Sequence, residues 1–189
     1  LLVLFLVSPN VHAQLADNIH GGAEGGIVGK TPGKHDVTPN GQFIYEIPIS
    51  IPAGIGGIEP KLTIAYNSGN GNGLLGYGFD LKGLSVISRA PRNLFNDNIS
   101  DVIRFDKNDR FTLDGARLQL VKAGNDYREY RTEHNTFSRI IAYGAEEAPS
   151  RFVVCSKAGL VYEYEPLTQS PKNLFWPLVK VTDTCGNYY

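Results

Sequence analysis

From residue 43 onward, apolar and polar residues alternate with a period of two, and no window keeps a helical apolar period over three turns. FIYEIPISI places Phe43, Tyr45, Ile47, Ile49 and Ile51 on one face. Pro48 and Pro52 fall on the other, which predicts an edge strand, because proline cannot donate to a ladder. KLTIAYN repeats the alternation through Leu62, Ile64 and Tyr66. Further runs of the same kind are LSVIS (84–88), VIRFD (102–106), RFTLD (110–114), RLQLV (117–121), YREYR (127–131), FSRIIAY (137–143), RFVVC (151–155), LVYEYE (160–165) and PLVKVTD (177–183). Turn formers separate them: Lys107-Asn108-Asp109, Asp114-Gly115, Ala123-Gly124-Asn125-Asp126 and Lys157-Ala158-Gly159. Short strands joined by Gly, Asn and Asp turns predict an all-β fold, an antiparallel meander of sandwich-like sheets spanning 43–170.

Before residue 43 the pattern is different. Leu1–Val7 is continuously apolar, and Ser8-Pro9-Asn10 and Val11-His12-Ala13 follow. This predicts residues 1–13 to be the end of a secretory signal peptide cleaved after Ala13, and hence an exported protein. The run is shorter than the roughly 20 residues that a membrane-spanning helix needs. Residues 14–42 are rich in Gly and poor in large apolar side chains, as expected of a flexible leader.

Composition narrows the function classes. The formal net charge is −1, and Lys and Arg are scattered among acidic neighbours, which argues against a nucleic-acid partner. Cys155 and Cys185 permit one disulfide in an oxidising compartment, and serve equally well as two free thiols. The four His are far apart and there is no C-x-x-C, so no zinc framework exists and no cofactor is expected. The Gly-rich stretch NSGNGNGLLGYGFDLKGLSVISR (67–89) lacks the Lys-Ser/Thr of a phosphate loop and opens no helix. It offers Asn67, Asn70 and Asn72 but no carboxylate before Asp80, a poor set for calcium. Glu163 and Glu165 form a Glu-x-Glu pair on one strand face, a pattern glycosidases can use and solvated strands commonly carry. No G-x-S-x-G occurs, and no catalytic residue is assigned.

Several segments, in order, carry a more specific signal: IPISIPAGIGGIEPKLTIAYNSGNGNGLLGYGFDLKGLSVISR, then DRFTLDGARL, then YRTEHNTFSRIIAYG. They resemble the N-terminal domain of the Salmonella virulence plasmid B-protein (SpvB) family. That domain also begins the B component of insecticidal toxin complexes and many secreted YD-repeat (Rhs-type) proteins. The matching positions are Pro60, Tyr66, Asn67, Ser68, Gly69, Asn72, Gly73, Gly76, Gly78, Arg89, Asp109, Phe111, Asp114 and Gly115. Phe79 stands where the family usually has Trp. Asp183, Gly186 and Asn187 resemble the pattern that leads into YD repeats, so 171–189 is expected to start such a segment. The resemblance implies a non-enzymatic wall section of a larger β-shell that encloses or presents a C-terminal effector. Its implied partners are the downstream YD-repeat shell and other toxin-complex subunits.

Aromatic residues recur along the expected strands, among them Tyr45, Tyr66, Phe105, Phe111, Phe152 and Trp176. Cross-strand packing accounts for them, while a carbohydrate-binding β-sandwich stacking sugars on exposed Tyr or on Trp176 is the alternative.

Overall fold

The computed structural model describes residues 33–168, 170 and 172–189, so the readings for 1–13 and 14–32 fall outside it. A small antiparallel sheet comes first. Its strands are β1 (Lys34–Val37), β2 (Phe43–Pro48), β3 (Thr63–Asn67) and β6 (Phe79–Lys82), in the order β1-β2-β3-β6. Between β3 and β6 a short ribbon of β4 (Asn72–Gly73) and β5 (Gly76–Tyr77) projects.

Two expectations change here. Lys34–Val37 reads as leader but forms a strand against β2. All four of its side chains are exposed, so no alternation could announce it. The turn that creates it is local: the Thr38 carbonyl accepts from Gly41 N, and Thr38 Oγ1 accepts from Gln42 N. As a result β2 is an interior strand and not an edge. Its proline sits at its last residue, where the ladder ends.

The rest of the chain is a closed barrel. Its strands are β7 (Val86–Ala90), β8 (Arg110–Leu113), β9 (Ala116–Ala123), β10 (Tyr127–Thr132), β11 (Arg139–Gly144), β12 (Pro149–Cys155), β13 (Val161–Tyr164) and β14 (Phe175–Thr182). Each pairs antiparallel with the next, and β14 returns to pair with β7. The expected meander is therefore present, but it closes on itself instead of stacking as a sandwich. Closure leaves the main sheet without free edges.

Period-two alternation decides what fills the barrel. Ile87, Phe111, Leu118, Tyr130, Ile140, Ala142, Phe152, Val154, Tyr164 and Trp176 form one buried cluster. Phe111 stands at its centre, with ring centroids 5.2 Å from Phe152, 5.5 Å from Trp176 and 6.2 Å from Tyr130, all edge-on. Eight strands give an interior that side chains can fill or that can hold one small ligand. Here the aromatics fill most of it. Ladder irregularities at Glu129/Tyr130, Tyr143/Gly144 and Glu163/Tyr164 supply the bending that closure requires.

The connections alternate between the two ends. At one end, Asp114 (φ 49°) and Gly115 (φ 82°) make the two-residue β8–β9 hairpin. Positive φ at both positions is what such a hairpin demands, and Asp-Gly supplies it. The Asp114 carboxylate also binds Val86 N and Ser85 Oγ, each at 2.8 Å, and Ser85 Oγ contacts the Tyr164 hydroxyl.

After β14, Asp183 organises a second tight return. Its carboxylate accepts from Cys185 N, Asn187 N and Asn187 Nδ2. With Gly186 at φ 84°, the chain turns back so that Tyr188 bridges to Thr182. The three tail residues picked out in the sequence thus build one hairpin.

Candidate functional site

The opposite end of the barrel holds the densest chemistry. It is covered by the long β7–β8 connection, residues 91–109, which contains the single-turn helix α1 (Leu94–Asp97). Connections of this length without regular structure commonly carry function. VIRFD (102–106) reads as a strand but lies within this connection. The reason is Asp109, whose carboxylate accepts from the backbone N–H of Arg104 (3.0 Å) and Phe105 (2.7 Å). Phe105 takes φ 60°, which breaks any extended run.

Arg89 is the plug of this end. Its side chain is completely buried, and its three nitrogens reach three different connections. Nη1 donates to Asp109 Oδ2 (3.0 Å), Nη2 to the Glu147 carbonyl (2.8 Å) and Nε to the Asn173 carbonyl (3.1 Å). The guanidinium also lies 5.3 Å from the Phe105 and Phe111 rings and 5.7 Å from Trp176. A planar fork with fixed donors suits such a divided task, where a lysine ammonium would not.

Two further carboxylates organise the cover. Asp97 bridges Arg110 (3.0 Å) and Arg117 (2.6 Å), tying α1 to β8 and β9. Asp101 binds Arg92 (2.5 Å) and Arg104 (3.0 Å). Hydrogen bonds from Arg92, Val102 N and Arg104 pull the Asp101 carboxyl down to about 2. Asp97 is also lowered: burial opposes its charge, but hydrogen bonds from Asn93 N and Arg117 and the nearby guanidiniums outweigh that. Asp106 is lowered through its bonds to Asn108. The tyrosines move the other way, with burial pushing Tyr130 and Tyr164 up to about 12. These shifts lead away from neutrality, whereas proton transfer is served by groups poised near the working pH.

A pH prediction follows from the sign of these shifts. A carboxylate whose folded pKa lies below its unfolded value stabilises the fold above about pH 4, and that contribution is lost as pH falls through the folded value. Thermal denaturation is therefore expected to show stability falling between about pH 4 and pH 2, with a shallower fall in Asp101→Asn. A wild-type midpoint that stays level across that window would contradict the assignment.

Beside the plug lies a cavity of about 510 Å³, bounded by α1, β8, β9, β10 and the β11–β12 connection. Asn96, Asn108, Gln119 and Tyr130 line it together with Phe111 and Leu118.

The sequence-derived residues divide into two groups. Arg89, Asp109, Phe111, Asp114 and Gly115 belong to the barrel, and the first three meet at its covered end. The others build the small sheet and its ribbon. Tyr66 packs between Phe43 and Phe79 with tilted rings, at 6.4 and 4.8 Å. Asn67 Oδ1 accepts from Gly69 N, and Ser68 Oγ accepts from Phe43 N. Pro60 lines an apolar groove with Leu62, Leu84 and Val179.

The glycines work differently from the expectation that Gly69, Gly71 and Gly73 take positive φ in a tight turn while Gly76 and Gly78 allow close backbone approach. In the structure Gly76 (φ 112°) and Gly78 (φ 77°) adopt the positive φ. Gly73 is needed for close approach instead, because a Cβ there would overlap the Phe79 carbonyl, whereas at Gly69 it would meet only the movable end of the Gln42 side chain. Gly78 faces both constraints, because its Cβ would sit 2.6 Å from the Tyr66 ring. The ribbon is thus a packing device.

Other candidates resolve as follows. Trp176 is fully buried and its Nε1 donates to the Pro149 carbonyl at 3.0 Å, so it offers no face to a sugar. Glu163 and Glu165 flank the inward-facing Tyr164 and lie on the outside of the barrel, with Glu163 opposite Lys180. Cys155 and Cys185 are both free thiols. Among the described residues no group of three or more His, Cys, Asp and Glu could hold a metal ion, and no helix is long and apolar enough to cross a membrane.

Sequence reasoning found Arg89 and Asp109 but missed Arg92, Asp97, Asp101, Arg110, Arg117 and Tyr130. The available signal was the stretch 89–110 itself, which interleaves Arg and Asp without a single Gly. Residues 37–184 match the family described as Salmonella virulence plasmid 65kDa B protein. No curated protein matches the chain.

Proposed function

Since this chain belongs to the family of the Salmonella virulence plasmid 65kDa B protein, a virulence-related family, we propose that it is a non-enzymatic wall module of a larger exported β-shell. One observation carries this reading: a barrel with a packed aromatic core nevertheless exposes many large apolar side chains. Phe95 is 90% exposed, Leu94 69% and Val102 67% on the cover, and Leu120, Val121, Phe175 and Val179 are exposed on the strands. Isolated soluble domains rarely leave so many large apolar side chains in water, whereas a wall segment covers them with its neighbours.

The chemistry of the covered end supports the same reading. Its carboxylates are engaged by arginines or backbone N–H groups, an arrangement that fixes loops in place. The tail hairpin at Asp183–Asn187 supports continuation into YD-type repeats, whose strands would be the immediate partner. Export rests on the apolar run at Leu1–Val7 and the small residues before Gln14. In this account the effector lies downstream of the wall.

Recovery of the whole gene product from the culture medium tests these points together. The expected product begins at Gln14, continues into Tyr-Asp repeats, and shields the Leu94–Val102 surface from hydrogen exchange. A product retained in the cytoplasm, or one ending close after Tyr189, would contradict the proposal.

A further inference from the structure

The covered end of the barrel contains a feature that a wall module does not require. Tyr130 is only 7% exposed, yet its hydroxyl makes no hydrogen bond to any of the described residues. It opens instead on the cavity of about 510 Å³. The side-chain atoms sealed from solvent without a partner, among the described residues, are Arg92 Nε and Thr182 Oγ1, so the phenol is left to bond whatever occupies the cavity. The charged side chains of the lining balance, with Asp97, Asp109 and Glu146 against Lys107, Arg110 and Arg117, and the rest are neutral. Asn96, Asn108 and Gln119 present amides, while Phe111 and Leu118 form apolar wall. The volume falls within the range of small-molecule sites, and the mouth of a β-barrel is a common place for one.

We propose that this cavity binds a neutral polyhydroxylated small molecule, namely a sugar of one or two rings. Hydroxyl groups both donate and accept, so they satisfy a phenol and several amides at once, while the C–H faces of a sugar ring lie against Phe111 and Leu118. An anion is disfavoured by the charges already present. Arg110 and Arg117 are both held by Asp97, at 3.0 and 2.6 Å. A carboxylate or phosphate would have to displace Asp97 to reach them. The Asn108 Nδ2 already donates to Asp106, which leaves its carbonyl oxygen for a ligand hydroxyl.

The molecule contains its own reporter. Trp176 is the only tryptophan, and its ring lies 5.5 Å from Phe111, which lines the cavity. Titrating the full 189-residue chain with glucose, galactose, N-acetylglucosamine and their disaccharides should give a saturable change in Trp176 emission for at least one of them. Tyr130→Phe removes only the hydroxyl. It should weaken that binding about fivefold to tenfold, the effect of one hydrogen bond, without lowering the melting temperature. Gln119→Ala should weaken it as well.

Three results would overturn the proposal. One is the absence of saturable change with any sugar up to 100 millimolar (about the weakest affinity worth measuring). The second is saturation by phosphate or acetate in place of sugars. The third is undiminished sugar binding in Tyr130→Phe, which would place the ligand elsewhere. None of these outcomes bears on the wall-module reading, which concerns the outer surface.

Discussion

Arg89→Met is expected to lower the folding free energy by about 3–5 kcal/mol, the usual consequence of leaving one member of a buried ion pair alone. The substitution leaves the Asp109 carboxylate buried without its guanidinium partner. Its remaining support is the pair of N–H groups from Arg104 and Phe105. The carbonyls of Glu147 and Asn173 lose their donors at the same time. Arg89→Lys should recover little of this, because one ammonium cannot reach three acceptors on three connections. Asp109→Asn should cost less than Arg89→Met, since the guanidinium retains two carbonyls and the three aromatic rings around it. Urea unfolding of the three variants checks the order. A loss below about 1 kcal/mol for Arg89→Met would mean that the covered end does not depend on its plug.

The second large effect is expected at Trp176. Removing the ring in Trp176→Ala should cost about 3–5 kcal/mol, since a buried aromatic leaves a cavity that closed strands cannot collapse. Domains of this size have about 5–15 kcal/mol in total, so the loss takes a large share of it and the melting temperature should fall clearly. Trp176→Phe retains an aromatic contact with Phe111 and Phe152 but strands the Pro149 carbonyl. It should lose about 1–3 kcal/mol. Circular dichroism melts give both values. A sugar-stacking tryptophan would behave in the opposite way, with little change in stability in either variant.

Much of this fold could be read in the chain because alternation and burial coincide in the barrel. Nine of the ten core residues, from Ile87 through Tyr164, lie in the runs read as strands, and Trp176 sits one residue before the last of them. Closure was not legible. It depends on β14 meeting β7, a pairing between Phe175–Pro177 and Val86–Ser88 that no local pattern encodes. A meander that stacks and one that closes share the same period.

The small sheet was harder to read. β1 has four exposed side chains and owes its existence to the turn at Thr38–Gln42, so hydrophobicity carried no information about it. The edge assignment of β2 failed for the same reason, since an unseen β1 pairs with it. In the glycine-rich stretch the sequence marked the positions but not their roles. Positive φ and close backbone approach both select Gly, and only the packing of Tyr66 and Phe79 against particular glycines tells them apart.

At the covered end, Arg89 and Asp109 were legible as motif residues, but the reason for them was not. They are 20 positions apart and meet only because the connection between β7 and β8 folds back over the barrel. Tyr130 gave no signal, because a tyrosine on an alternating strand resembles any other core aromatic. Its unpaired hydroxyl is a property of the cavity.

Hydrogen–deuterium exchange, compared between this chain alone and the whole gene product, tests the central claim most directly. If the barrel is one wall section of a larger shell, the amides of Leu94–Val102 and those around Leu120 and Val121 should exchange rapidly in the isolated chain and become protected in the whole product. The core strands β11 and β12 should exchange equally slowly in both. Identical exchange over Leu94–Val102 in the two samples would show that this apolar surface faces water throughout, and the wall-module account would then be wrong.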